Sequence, residues 1–362
     1  MFIHTIIGLN SDHRKGGMYM KTFELGITTF AEVMEDPKTH KKISYDERIR
    51  QVVDEIKLAD DIGLDFFGIG EHHRVDFAAS APHMILAAAA PITNHIKLSS
   101  AVTVLSSEDP VRVYQNFATL NALSKGRAEL MVGRGSFIES FPLFGYDLRD
   151  YNELFEEKLE LLLKIRDQEK ISYKGKHRAQ INHLGVYPRT EDLTISVAVG
   201  GTPESVIRAA RHGLPLFLAI IGGNPLMFKG LIDLYKQEYL AHGHDQDQMF
   251  ISVHSHGYVA ETFDEAYETY YPSMEQVMNV IGRERGWSRY TKKTYDQAID
   301  MNGALFVGDP TYVAKKIIHL KEKLGIDRFA LHVPVGHLDH DLVMKSIKLF
   351  GEKVKPIVDQ AL

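Results

Sequence analysis

The 362-residue chain contains no cysteine. That absence removes disulfide scaffolds, thiolate-bound zinc and thiol nucleophiles together. Any redox chemistry must therefore come from a bound cofactor. Long hydrophobic runs are also missing. No window approaches the ~20 apolar residues of a membrane span, and the opening MFIHTIIGLN is too short an apolar run for a signal peptide. A soluble, cytoplasmic protein is expected. Basic clusters are short, YTKKTY being the longest, and the formal net charge is −6, which argues against a nucleic-acid partner. There is no phosphate-binding Walker loop, no complete G-x-G-x-x-G, no H-E-x-x-H and no G-x-S-x-G elbow.

What is present is a regular alternation. The run TFELGITTF reads as a strand, and SYDERIRQVVDEIKLADDIGL as a helix opened by a capping box of Ser44 and Glu47. FFGIG, IKLSSAVTVL, AELMVGRG, TISVAVGG, LPLFLAIIGG, MFISVHSHGYVA and DRFALHVPV continue the strands. Amphipathic helices separate them, one starting at Asp109 as N-cap with Pro110 in the first turn. Residues 170 to 193 read as an insertion, and extra material fills 262 to 326. Eight strand and helix pairs with continuously apolar strands predict an α/β fold, a (β/α)8 TIM barrel with insertions. A doubly wound sheet is the alternative. Residues 1–20 lack periodicity and are expected to be an N-terminal extension to a barrel domain spanning 21–362.

In a (β/α)8 barrel the chemistry gathers at the C-terminal ends of the strands. Three clusters fall there. EHHRVD follows the second strand and places Glu71, His72, His73, Arg74 and Asp76 within six residues; the plain reading is a capped strand whose histidines pair with the acids. VGRGSF follows the fourth strand and sets Arg134 between glycines, where a guanidinium can meet an anion or simply be solvated in a turn. VAVGGTPES leads from a strand into a helix N-terminus. Its exposed amides, with Thr202 and Ser205, make a ready phosphate site, although an N-cap would explain Thr202 alone. In VHSH, His254 and His256 alternate on one strand and could share a metal, though with 18 histidines in the chain chance pairs are common.

GIGEHH, AVTVLSSEDPVRVYQNFATLNALSKGRAELMVGRG, RHGLPLFL and VGHLDHDLVMKSIKLF, in this order and spacing, resemble the bacterial luciferase family of flavin-dependent monooxygenases. The similarity runs from about Phe23 to the C-terminus. It implies that His72 is the catalytic histidine, that Arg134 contacts the FMN phosphate, and that Gly201, Thr202 and Ser205 form the phosphate loop. Gly201 stands where luciferase itself has an acidic residue. Ala101–Val102 matches a non-proline cis peptide at the cofactor site. The resemblance also implies reduced FMN, supplied by a separate flavin reductase, reacting with O2 to a C4a-peroxyflavin that oxidises a small organic substrate. It further implies a homodimer and no bound metal. Three rival readings stand beside it: a deazaflavin-dependent oxidoreductase of the same superfamily, a metal-dependent barrel hydrolase using His254 and His256, and a flavin-binding protein without catalysis.

Overall fold

The computed structural model describes residues 22–36, 39–190 and 192–362. The expected extension over residues 1–20 lies outside them. Eight parallel strands form the centre: β1 (Glu24–Thr29), β2 (Phe66–Ile69), β3 (Lys97–Ser100), β4 (Ala128–Gly133), β5 (Thr194–Val199), β6 (Leu216–Ala219), β7 (Ile251–Val259) and β8 (Arg328–His332). Each pairs with the next, and β8 returns to β1 in the register Glu24↔Arg328 to Thr28↔His332, so the sheet closes into a barrel. The doubly wound alternative is thereby excluded.

Helices wrap the outside. α1 (Tyr45–Asp61) starts at Ser44, whose side chain accepts the Glu47 amide, as the capping pattern predicts. α2 is Pro82–Ala89, and α3 (Pro110–Leu123) is capped by Asp109, which accepts the amides of Val111 and Arg112. α4 (Tyr151–Asp167), α5 (Pro203–Arg211) and α6 (Lys229–Ala241) follow β4, β5 and β6. The expected insertion at 170 to 193 contains an antiparallel hairpin, Lys170–Tyr173 with Ile181–Gly185. Between β7 and β8 lie α7 (Phe263–Arg285), α8 (Lys292–Ile299), a short strand Phe306–Gly308 that extends the pairing of β7, and α9 (Pro310–Leu324). α10 (His340–Leu349) follows β8.

Inside the barrel, every second residue of each strand points inward, and these residues stack in layers. The bottom layer is ionic. Arg328 is 3% exposed; it donates to Glu24 at 2.8 Å and to both carboxylate oxygens of Glu129 at 2.8 and 2.9 Å, and lies 4.2 Å from the Phe66 ring centroid. Above it Phe66, Met131, Phe217 and Ala330 form an apolar plug. Gly26 makes room for that plug, since a Cβ there would fall 2.4 Å from the Phe66 carbonyl oxygen. The top layer is polar again and opens at the C-terminal rim.

Removing Arg328 would leave Glu24 and Glu129 sharing the partly exposed Lys97, 2.6 and 3.5 Å away. Arg328→Met is expected to cost about 3–5 kcal/mol, the usual penalty for breaking one side of a buried ion pair. Urea unfolding checks this. A loss below about 1 kcal/mol would show that the cluster is incidental to barrel closure.

Candidate active site

β2 ends at Ile69 and the chain turns into Glu71, His72 and His73 at the barrel rim. The turn is tied to the segment after β3. Glu71 N–H donates to the Val102 carbonyl at 3.0 Å, and its carboxylate accepts the Val104 amide at 2.9 Å while pairing with His73 Nε2 at 2.8 Å. The Ala101–Val102 bond held by this arrangement is cis. Glu71 and His73 thus bind the loops together and make no hydrogen bond to His72.

His72 is buried, packed against Phe30, Phe77 and Phe137 with ring centroids at 4.4, 4.5 and 5.2 Å. Its Nε2 has no hydrogen-bond partner among the described residues. The ring lines a cavity of about 290 Å³ whose wall also includes Ala101, Val102, Arg134 and Gly200. Burial, helped by the neighbouring His332, His73 and Arg74 charges, pushes the His72 pKa down to about 3. The sequence suggests an ordinary imidazole titrating near 6.5; the apolar packing makes it instead a neutral group at pH 7, able to take or give one hydrogen bond.

At the far side of the cavity the anion elements converge. Arg134 donates to Ser205 Oγ at 2.9 Å, to Thr202 Oγ1 at 3.5 Å and to Asn152 Oδ1 at 2.6 Å, and lies 5.1 Å from the Tyr151 ring. Thr202 does not cap α5 with its side chain; its hydroxyl donates to Ser205 Oγ at 2.8 Å. Arg208 reaches the same Ser205 oxygen at 3.4 Å and pairs with Glu156. Gly201 takes φ +125°, a left-handed conformation that favours glycine, and a Cβ on Gly200 would meet nothing within 4 Å. Arg134 and Gly200 border the cavity, and the Thr202 and Ser205 hydroxyls beside Arg134 at the helix N-terminus complete a set of donors that could hold a phosphate monoester. All the expected site residues, His72, Ala101, Val102, Arg134, Gly201, Thr202 and Ser205, come together at this rim.

A second chamber of about 530 Å³ adjoins the first, the two sharing Phe30, Ser136, Gly200, Ala219 and His254. Its walls are mainly apolar, among them Phe77, Phe137, Phe228, Ile281 and Trp287. At its floor sit His254 and His256 on β7, with His332 on β8 between them at 5.4 and 4.9 Å ring separation. His332 Nε2 pairs with Glu32 at 2.9 Å. Neither Glu32 nor His332 stands out in the sequence. The available signal is a histidine inside the apolar run FALHVPV, at a strand end where packing alone favours carbon.

The metal reading of His254 and His256 gains no support from their surroundings. Among the described residues, one group of three possible ligands has its atoms within 4.8 Å of one another, and it is Asp150, Glu153 and His177 at the surface. His254 Nδ1 is instead bonded to the Thr28 hydroxyl at 3.1 Å. Burial, with the His332 charge added, pushes the His254 pKa down to about 3, and burial lowers that of His256 as well.

Residues 23–328 match the family described as luciferase-like monooxygenase, and the chain belongs to that family. It is 26% identical over 305 residues to N-acetyl-S-alkylcysteine monooxygenase of Bacillus subtilis, covering 80% of this chain and 88% of that one. With limonene 1,2-monooxygenase of Rhodococcus erythropolis it shares 27% over 287 residues, 76% and 73% of the two chains. Among solved structures, the oxygenating constituent of 3,6-diketocamphane monooxygenase from Pseudomonas putida, in complex with FMN, superimposes with TM-score 0.73 at 20% identity over 92% of this chain and 98% of that one. The coenzyme F420-dependent tetrahydromethanopterin reductase of Methanopyrus kandleri gives 0.69 at 20% identity, over 92% and 99%. At these identities the two structures show the fold alone. No helix among the described residues is long and apolar enough to cross a membrane.

The depressed histidines carry a stability consequence. Unfolded, each binds a proton near pH 6.5, while His72 and His254 in the folded protein do so only near 3. The unfolded state therefore holds more protons between these values, and stability falls as pH drops through that window. The slope is up to about 1.4 kcal/mol per pH unit for each such group. The apoprotein is expected to lose melting temperature steadily from pH 6.5 to 4.5, and His72→Gln to flatten the slope. Equal slopes for both proteins would contradict a neutral, buried His72.

Proposed function

We propose that this chain is an FMN-dependent monooxygenase that uses reduced FMN and O2 to oxidise a small, largely apolar organic substrate. The observation that carries the reading is that Arg134, which lines the same cavity as His72, is hydrogen-bonded to Thr202 and Ser205 at the α5 N-terminus. Arg134, the two hydroxyls and the helix dipole would hold the phosphate. The cavity wall formed by Ala101, Val102 and Gly200 would take the ring system, leaving the adjoining apolar chamber for the substrate. When bound, reduced FMN supplies the electrons that activate oxygen. The protein's part is to keep water out with the Phe30, Phe77 and Phe137 rings and to hold or move one proton at His72 Nε2. A separate reductase as the source of reduced flavin, a homodimer and a cytoplasmic setting accompany this reading as implications of the family resemblance. A deazaflavin cofactor is the second reading, favoured by the barrel's likeness to an F420-dependent reductase.

Two substitutions test the assignment. Arg134→Ala is expected to weaken FMN binding by about 1.5–3 kcal/mol, the worth of a hydrogen bond to a charged group, with riboflavin, which lacks the phosphate, affected far less. Equal losses for the two ligands in fluorescence titration would show that Arg134 supports the loop and does not bind phosphate. His72→Ala is expected to leave melting temperature and FMN affinity nearly unchanged. Substrate-dependent oxygen uptake should fall by about 10² to 10⁴. Unchanged turnover per folded molecule would sink the catalytic assignment.

A further inference from the structure

The floor of the two chambers carries a buried chain of polar side chains that phosphate binding and the His72 assignment leave unused. Thr28 Oγ1 lies 3.1 Å from His254 Nδ1 and 3.1 Å from His332 Nδ1, and His332 Nε2 lies 2.9 Å from Glu32 Oε1. All four side chains are buried. The order Glu32, His332, Thr28, His254 crosses from β8 to β1 to β7 and is fixed by the register that sets Thr28, His332 and His256 side by side.

Hydrogen counting determines the direction of this chain. A neutral imidazole has one N–H and one bare nitrogen, and a hydroxyl has one proton to donate. Thr28 can donate to only one of the two Nδ1 atoms, so at least one ring must donate to it, and for two neutral rings the Glu32 contact decides which. With Glu32 written as the carboxylate, His332 Nε2 is the donor. Thr28 then donates to His332 Nδ1, His254 Nδ1 donates to Thr28, and His254 Nε2 is left bare. That nitrogen has no partner among the described residues, and the His254 ring lines both the candidate cofactor cavity and the apolar chamber.

We infer that Glu32, His332, Thr28 and His254 form a proton relay that carries a proton from the reaction cavity to Glu32. A donor X–H in the cavity gives its proton to His254 Nε2, His254 Nδ1–H passes to Thr28 Oγ1, Thr28 O–H to His332 Nδ1, and His332 Nε2–H to Glu32. Four bonds to hydrogen break and four form. X is left with the negative charge that Glu32 held, both rings have exchanged tautomers, and no oxidant or reductant takes part. At no stage need either ring become an imidazolium, which burial of the His254 ring disfavours. Glu32 also borders a separate cavity of about 270 Å³ lined by Arg48, His337 and Asp339, a route by which its proton reaches water. Around the chain stand His72, His256 and Tyr270, and Arg48, which pairs with Glu55 and reaches the Thr29 hydroxyl that itself donates to Glu32. His254 is the member that lines the candidate cofactor cavity; Glu32 and His332 border the apolar chamber but not that cavity, and toward it they and Thr28 act through His254. The use of the relay in oxidation rests on the flavin reading, whereas its hydrogen-bond order does not.

Nitrogen-15 spectra of histidine-labelled apoprotein at pH 7, with the two rings assigned from His254→Gln and His332→Gln, test the order directly. His254 is expected as the Nδ1–H tautomer and His332 as Nε2–H. Thr28→Val, which keeps the shape and loses the hydroxyl, should return His254 to the Nε2–H form, and Thr28→Ser should restore the original state. In fluorescence titration, FMN affinity should be the same in Thr28→Val, Thr28→Ser and the parent, since Thr28 does not line the candidate cofactor cavity. An Nε2–H His254 in the unmodified protein would overturn the relay, as would an unchanged His254 tautomer in Thr28→Val. Failure of every form to bind FMN would remove the flavin reading, and the tautomer of His254 would still decide the relay.

Discussion

Closure of the barrel depends on Arg328. It is the first residue of β8, the strand that must find β1 across some three hundred residues of chain, and its guanidinium reaches Glu24 on β1 and Glu129 on β4 from inside the barrel. Glu24, Glu129 and Arg328, joined by Lys97 at the edge of the cluster, are costly to desolvate, and their close geometry compensates only when all are in place. The cluster therefore specifies register: slipping β8 by one residue would turn Arg328 outward and His332 away from Thr28. The ionic base, the apolar plug of Phe66, Met131, Phe217 and Ala330, and the polar rim are three levels of one inward-facing set.

The same register sets the chemistry of the rim. A site that must exclude water needs apolar walls, and apolar walls suppress charge on whatever titratable groups remain. His72 and His254 show the result, neutral imidazoles with pKa values of about 3. Such groups cannot store a proton at neutral pH, but they can pass one on. At the opposite wall Arg134 is only partly buried and is hydrogen-bonded to Asn152, Thr202 and Ser205. One rim thus combines an arginine beside two hydroxyls at a helix start with an apolar interior that holds a buried hydrogen-bonded chain.

Much of this was legible in the sequence because it is local. Strand identity follows from continuous apolar runs, helix starts from Ser44 and Asp109, and the strand-to-helix turn carrying two hydroxyls from VAVGGTPES. The cis bond at Ala101–Val102 and the grouping of His72 with Arg134 came through family resemblance and are where the barrel places them. The 170 to 193 hairpin was seen only as an interruption, since its pairing depends on strand partners that a single sequence does not display. Glu32 and His332 were missed for the same reason: they are 300 residues apart and acquire meaning only when β8 lies against β1. His254 and His256 were seen as a pair, but spacing along one strand does not reveal that His254 is bonded to Thr28.

The central claim is that this rim is built for a phosphate-bearing flavin. Anaerobic titration of the apoprotein with reduced FMN, oxidised FMN and a deazaflavin, with metal analysis of the same sample, tests it most directly. The account predicts saturable one-to-one binding of FMN, tightest in the reduced form, weak binding of the deazaflavin, and no stoichiometric transition metal. Tight deazaflavin binding without FMN binding, or one equivalent of zinc whose removal abolishes activity, would contradict it.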